Sequence, residues 1–140
     1  MEFELNPTIG ALLGFAAVTI VLVALVVSYR VVLVLTGAKK ADEFPRRGYE
    51  PPAFIQRMTD AHMNCVENLP LVAAVVLAAV ATGQTAVTDP LACYLLYARI
   101  AQSAVHSIAV NHWMVLIRAT FYTVQIGILV WWILKLAHLI

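Results

Sequence analysis

Long apolar runs separated by short polar stretches dominate the chain. Four of these runs are long enough to cross a bilayer, which takes about 20 helical residues. They cover residues 7–36, 53–81, 90–110 and 113–139. This pattern predicts an all-α fold: an integral membrane four-helix bundle with four transmembrane spans, built as one domain over residues 1–140.

Local signals indicate where two of these helices begin and end. Asn6 can cap the first helix, Pro7 suits its first turn, and Gly37 suits its end. Asp89 followed by Pro90 has the form of a cap and a first helical position. We therefore expect the third helix to begin at Pro90.

The composition supports a membrane location. Hydrophobic residues make up 62% of the chain and charged residues only 12%, and the mean hydropathy is +0.86. The net charge of +1 provides no basic field for nucleic acid. The two cysteines, Cys65 and Cys93, lie in different apolar runs without metal-ligand spacing, so we interpret them as small buried hydrophobes and predict no metal site.

The basic residues in the loops predict the orientation in the membrane. The loop over residues 38–52 carries Lys39, Lys40, Arg46 and Arg47. The loop between the second and third runs has no Lys or Arg, and the N-terminus carries Glu2 and Glu4 without a base. Because cytoplasmic loops are rich in Lys and Arg, we expect the first loop to be cytoplasmic, in either a bacterial inner membrane or an endoplasmic reticulum membrane.

The second apolar run begins with a polar stretch that no ordinary lipid-facing helix would carry. At about 100° per residue, its polar side chains share one arc of about 80°. The residues on that arc are Arg57, Asp60, Asn64 and Glu67. A charge at the centre of a membrane helix costs about 2.5–3.5 kcal/mol, so this face must meet partners, a polar interior or a ligand. His62 lies off this face, and we expect it to hydrogen-bond a neighbouring helix.

The other runs carry arginines in the same half of the bilayer. At 1.5 Å per residue, Arg30, Arg99 and Arg118 all fall toward the side of the first loop. Glu67 falls at the level of Arg99 and can pair with Arg99 or Arg30, which would fix the helix register. Three buried arginines against two acids instead indicate an anionic ligand, since guanidinium groups suit carboxylates and thiolates. Both interpretations stay open on these residues alone.

Further polar residues share the faces of these arginines. Gln102 and His106 lie on the side of the third helix that carries Arg99. Tyr122 and Gln125 follow Arg118 along one stripe of the fourth helix. The physical inference is a polar seam inside the bundle that opens toward the cytoplasm.

Three motifs resemble those of the MAPEG superfamily, the membrane-associated proteins in eicosanoid and glutathione metabolism. Residues 61–70, Ala-His-x-Asn-x-x-Glu-Asn-x-Pro, look like its second-helix signature. Residues 98–106, Ala-Arg-Ile-Ala-Gln-Ser-Ala-Val-His, and residues 117–122, Ile-Arg-x-x-x-Tyr, resemble its third-helix and fourth-helix motifs. The resemblance covers essentially the whole chain and is to microsomal glutathione transferase-like members.

The resemblance implies a four-helix protomer that assembles as a homotrimer. Glutathione, the co-substrate, would bind between neighbouring subunits in the cytoplasmic half of the membrane. A lipophilic small molecule or lipid would enter from the bilayer as the second substrate.

The resemblance also implies a role for each matching residue. The residues expected to bind glutathione are Arg30, Asn64, Glu67, Arg99 and Tyr122. Glu67 would hold the amine, while Arg30 and Arg99 would contact carboxylates or pair with Glu67. Arg118 matches the catalytic arginine that stabilises the thiolate. The thiolate is the nucleophile, and a free thiol has a pKa of about 8.5, so the chemistry needs a nearby cation.

Two positions depart from the family pattern and keep a second function open. Asp60 stands where the family often has arginine, although Arg57 could substitute for it, and Gln102 stands where the family often has histidine. The first hypothesis is a glutathione-dependent membrane transferase or peroxidase acting on lipophilic electrophiles. The alternative is a non-catalytic lipid-binding or scaffold membrane protein of the same fold. A transporter or channel is disfavoured, because a one-sided polar pocket provides no path across the membrane.

Overall fold

The computed structural model describes residues 5–44, 48 and 50–140. The helices are α1 (Pro7–Leu35), α2 (Ala53–Ala81), α3 (Thr85–Ile108) and α4 (His112–Leu136). The described part of the chain contains no strand. The predicted all-α, four-helix architecture is therefore confirmed. Four of the charges used to predict the orientation, Glu2, Glu4, Arg46 and Arg47, lie outside the described residues.

The ends of α1 follow the signals in the sequence. Oδ1 of Asn6 accepts a hydrogen bond from the backbone N–H of Thr8, with a donor–acceptor distance of 2.9 Å. Pro7 occupies the first turn. Gly37 follows the end of the helix with a φ of 70°, a left-handed conformation in which glycine costs least. The helix therefore begins and ends where the sequence predicted, to within one residue.

The predicted start of α3 was wrong. The helix begins at Thr85, and Asp89 and Pro90 lie inside it. Asp89 does not cap its own helix. Its Oδ1 accepts hydrogen bonds from the backbone N–H of Thr8, at 3.2 Å, and from the hydroxyl of Thr8, at 2.5 Å. The first turn of a helix has free N–H groups and the positive end of the dipole, so this carboxylate caps α1 from a neighbouring helix.

This cap between α3 and α1 should contribute measurably to stability. Thr8 is fully buried. Replacing Asp89 by Ala removes the charged acceptor of its N–H and hydroxyl, which then keep only their neutral partners Asn6 and Thr88. We expect the free energy of unfolding to fall by about 1–3 kcal/mol. Thermal unfolding in detergent micelles measures the effect. Asp42→Ala, in the exposed first loop, is the matched control, and equal midpoints for the two variants would contradict the cap.

Among the described residues, three helices are long and apolar enough to cross a membrane: α1, α2 and α4. α3, predicted as the third of four spans, does not reach that hydropathy, because it carries Asp89, Arg99 and Gln102 among its polar residues. α3 instead packs extensively on each of the other three helices. Large apolar side chains on the outside of the bundle, including Ile20 and Trp113, are exposed. Such a surface is typical of a protein that meets lipid or other subunits.

The packing of the helices leaves one gap. Residues without exposed surface, including Phe15, Cys65, Leu95 and Trp132, form the centre of the bundle. Nδ1 of His62 lies 3.1 Å from the carbonyl oxygen of Thr19, so the expected link from α2 to a neighbouring helix is confirmed. In the described structure α4 packs mainly on α3, contacts α2 lightly and does not touch α1. α2 and α4 therefore stand apart, with α3 behind them.

Candidate functional site

A polar cleft of about 370 Å³ opens between α2, α3 and α4. Its walls are formed by Asp60, Met63, Asn64, Glu67, Gln102, His106, Arg118, Ala119 and Tyr122. The volume lies within the range of small-molecule sites, about 300–1,000 Å³. Carboxylates, a guanidinium group, an imidazole, a phenol and amides thus face one cavity.

α2 provides the acidic wall of the cleft. Asp60, Asn64 and Glu67 follow one another at intervals of three or four residues, and helix geometry therefore places them on one face. Oδ1 of Asp60 accepts a hydrogen bond from Nε2 of Gln56 at 2.8 Å. Glu67 is exposed, and its carboxylate has no hydrogen-bond or ion-pair partner within the described residues. The Glu67 carboxylate is therefore available to a ligand.

α4 and the end of α3 provide the basic wall. Arg118 and Tyr122 lie one helical turn apart and both line the cleft. Arg118 is half-buried, and its guanidinium group has no acceptor in the part of the chain that the structure describes. His106 lies near enough to interact electrostatically with both Arg118 and Asp60. The guanidinium group of Arg118 and the carboxylate of Glu67 therefore face the same cavity without partners in the described residues. Such a pair can bind a zwitterion.

Arg99 lies behind the cleft and is only 1% exposed. Its Nη1 donates to Oδ1 of Asn64 at 2.7 Å and lies 3.9 Å from Sγ of Cys65. Its guanidinium carbon lies 4.5 Å from the ring centroid of Phe15, a cation–π contact. The predicted ion pair with Glu67 is therefore absent from the described protomer, because Glu67 faces outward while Arg99 faces the core.

Two glutamines continue the hydrogen bonds from Asn64 across the bundle. Nε2 of Gln102 donates to Oδ1 of Asn64 at 3.2 Å. Nε2 of Gln125 donates to Oε1 of Gln102 at 2.8 Å and to the backbone carbonyl of Phe121 at 3.0 Å. Gln102 and Gln125 are both buried. A chain of polar side chains therefore joins α2, α3 and α4 behind the cleft.

Arg30 lies in a separate groove of about 400 Å³ at the end of α1. The other residues that line this groove are Val27, Val31, Val34, Leu35, Ala41 and Phe44. The guanidinium carbon of Arg30 lies 5.6 Å from the ring centroid of Phe44, and its Nε is buried without a hydrogen-bond partner. Within one protomer, Arg30 therefore does not line the cleft.

Arg57 also binds elsewhere. Its Nε donates to the backbone carbonyl of Ser107 at 3.0 Å, and its guanidinium carbon lies 5.9 Å from the ring centroid of Phe54. Ser107 belongs to the last turn of α3, where carbonyl groups lack partners inside the helix. Arg57 therefore caps α3 and does not line the cleft in place of an arginine at position 60.

The predicted site residues divide into three groups. Asn64, Glu67, Arg118 and Tyr122 line the cleft, Arg99 lies behind it, and Arg30 lies in its own groove. The expectation that guanidinium groups from several helices gather around one acid is thus not met inside the described protomer. Instead, Arg30, Arg57 and Arg99 each make a local contact, with an aromatic ring, a helix end and an amide respectively.

Some cleft residues were not assigned to a site from the sequence. His106 shares a helix face with Gln102 and Arg99, and this spacing was a usable signal. Asp60 was interpreted as a departure from the family pattern, yet it lines the cavity. Among the described residues, no cluster of His, Cys, Asp and Glu is arranged to hold a metal ion.

One known protein family matches most of the chain. A family model described as MAPEG family matches residues 8–138. This range includes α2, α3 and α4 in full, α1 from its second residue, and every residue that lines the cleft. No curated protein matches the chain, and no solved structure matches it.

Proposed function

We propose that this chain, which belongs to the MAPEG family, binds glutathione in the cleft between α2, α3 and α4 and presents its thiolate to a lipophilic electrophile. Family membership makes the chain a membrane protein of glutathione and eicosanoid metabolism. The transferase or peroxidase activity is our proposal for this member of the family.

One observation carries the proposal: Glu67 and Arg118 face the same cleft, and neither has a partner within the described residues. Glutathione carries an ammonium group, two carboxylates and a thiol. Glu67 would bind the ammonium group, and Arg118 would stabilise the sulfur as a thiolate, since charge-assisted hydrogen bonds are the strong ones. Asn64 and Tyr122 would make further contacts with the tripeptide.

Arg118 would serve the reaction because the thiolate, and not the thiol, is the nucleophile. In a conjugation, the thiolate sulfur forms a bond to an electrophilic carbon, and the leaving group departs with the bonding electrons. In a peroxidase reaction, the thiolate sulfur would attack the terminal oxygen of a lipid hydroperoxide, the O–O bond would break, and the lipid alkoxide would leave and be protonated to the alcohol. The sulfenic acid of glutathione formed in this step would react with a second glutathione to give glutathione disulfide and water. The lipophilic substrate would arrive from the bilayer.

The proposed assembly is a homotrimer with its first loop in the cytoplasm. Arg30 supports an inter-subunit site, because it lies outside the cleft of its own protomer while its Nε is buried without a partner. In the assembly, Arg30 of a neighbouring copy would reach the cleft and contact a glutathione carboxylate. α2 and α4 pack only lightly on each other, and we place such a neighbour on this side of the bundle.

Ultraviolet absorbance of the thiolate tests the proposal. Purified protein in detergent micelles is titrated at pH 7 with reduced glutathione, and a saturable thiolate band is expected. S-methylglutathione has no ionisable thiol and serves as the control ligand that should give no band. A titration without a band, under conditions where another MAPEG protein gives one, would contradict thiolate formation.

A second candidate function, lipid binding without catalysis, is favoured by a specific feature of the cleft. Asp60 lines it with Glu67, while Arg30 and Arg99 do not. A cleft with one guanidinium group and two carboxylates suits an anionic tripeptide less well than a cleft with arginine at position 60, as the family often has. This function predicts lipid bound in the purified protein and no thiol-dependent turnover, and mass spectrometry of extracted lipid combined with a conjugation assay distinguishes it.

A further inference from the structure

We infer that Arg99, Gln102 and Gln125 are positioning residues that fix the carboxamide of Asn64, so that the ligand meets hydrogen-bond donors at this point of the cleft. The inference rests on the proposed binding of glutathione and deepens it. It assigns to Arg99 a role other than ligand contact, and it gives a role to Gln125, which does not line the cleft.

The orientation of the Asn64 amide follows from the chemistry of its partner. A guanidinium group has donors and no acceptor. The atom of Asn64 that lies 2.7 Å from Nη1 of Arg99 must therefore be the amide oxygen, whichever way the group is drawn. Nδ2 then lies on the other branch of the amide, and it has no acceptor within the described residues. Since Asn64 lines the cleft, the N–H groups of Nδ2 are available to an acceptor on the ligand.

The same logic orients the two glutamines. The oxygen of Asn64 can receive only a donor from Gln102, so Nε2 of Gln102 occupies that side, at 3.2 Å. Oε1 of Gln102 is left to accept the bond from Nε2 of Gln125, at 2.8 Å. Gln125 is held in turn by the carbonyl of Phe121. Arg99 at one end and Gln125 at the other therefore fix which atoms donate and which accept along this chain of hydrogen bonds.

Two buried atoms in this chain of bonds have no partner. Nε of Arg99 and Oε1 of Gln125 are both buried without a hydrogen bond. An unpaired buried polar atom is unfavourable, and an apolar side chain of similar shape at position 125 would avoid that cost. Packing alone therefore does not explain an amide at this position. A role in fixing the orientation of Gln102, and through it the orientation of Asn64, explains the amide.

Gln125→Met tests the inference, because methionine has nearly the shape of glutamine and no donor. We expect the affinity for reduced glutathione, measured by isothermal titration calorimetry, to fall about tenfold. The thermal midpoint should fall modestly, because the buried Oε1 of Gln102 loses its donor. A residue that only packs would lower the midpoint without changing the affinity of the folded protein. Gln125→Glu keeps the shape but accepts where glutamine donates, and it should weaken binding as well.

Thr123→Val is the matched control on the same helix, since its hydroxyl bonds the backbone carbonyl of Ala119 and it does not line the cleft. It should bind glutathione like the wild type. If Gln125→Met binds glutathione as tightly as the wild type, or if Asp89→Ala, which lowers stability outside the cleft, loses as much affinity as Gln125→Met, the inference is overturned and the proposed function stands. If the wild type itself gives no binding heat, the proposed function fails, and this inference fails with it.

Discussion

Replacing Arg118 by Ala should abolish the thiolate absorbance that reduced glutathione gives with the wild-type protein. In the described structure, Arg118 is the guanidinium group that lines the cleft without a partner. Without it, a bound thiol at pH 7 returns to the few per cent of thiolate that a free thiol shows. Removing a single group that stabilises a developing anion lowers turnover by about 100- to 1,000-fold in other enzymes. We expect a conjugation rate reduced to that extent.

Two further variants make the Arg118 experiment specific. Arg118→Lys keeps the charge and loses the planar fork, so it should retain part of the thiolate band. Lys135→Ala removes another cation of α4, which stacks on Trp131 with 5.0 Å between Nζ and the ring centroid, outside the cleft. This variant should leave the band unchanged. A full band in Arg118→Ala would refute the role of the guanidinium group.

Replacing Glu67 by Gln should weaken glutathione binding by about 10- to 100-fold, because the amide cannot offer a negative charge to the ammonium group. Hydrogen bonds to charged groups contribute about 1.5–3 kcal/mol, and a factor of ten in affinity corresponds to about 1.4 kcal/mol. The thiolate band should return at saturating glutathione, since Arg118 is intact. Loss of affinity with a retained band separates the role of Glu67 from that of Arg118.

The Glu67 experiment has two controls, one variant of the protein and one modified ligand. Glu43→Gln changes an exposed carboxylate of the first loop, which accepts a bond from the backbone N–H of Lys40, and should not affect binding. On the ligand side, N-acetylglutathione lacks the ammonium group. It should bind the wild type about as weakly as glutathione binds Glu67→Gln. Equal affinities of wild type and Glu67→Gln for glutathione would exclude an ion pair with the amine.

Features that depend on one helix at a time could be predicted from the sequence. The apolar runs gave the bounds of α1 and α2, and Asn6 and Gly37 marked the ends of α1. Helix spacing placed Asn64 and Glu67 on one face of α2, and the same geometry aligned Arg118 with Tyr122 on α4. The structure brings these two faces to one cleft.

Features that depend on contacts between helices could not be predicted in this way. Depth along the membrane placed Arg99 level with Glu67, but it did not give the rotation of α3, which turns Arg99 toward Asn64. Asp89 has the sequence context of a cap for α3, and the contact with Thr8 that it makes instead joins residues far apart in the chain. The position of Arg30 depends on how the first loop folds back over α1, and no periodic pattern contains that information.

The most direct test of the central claim compares calorimetric titrations of reduced glutathione into the wild type and into the double variant Glu67→Gln/Arg118→Ala. If these two charges, which have no partner in the described protomer, hold the ammonium group and the sulfur of glutathione, the wild type gives a saturable heat and the double variant gives none in the same concentration range. Superimposable isotherms, or a wild type without heat under conditions where another MAPEG protein binds, would contradict the claim.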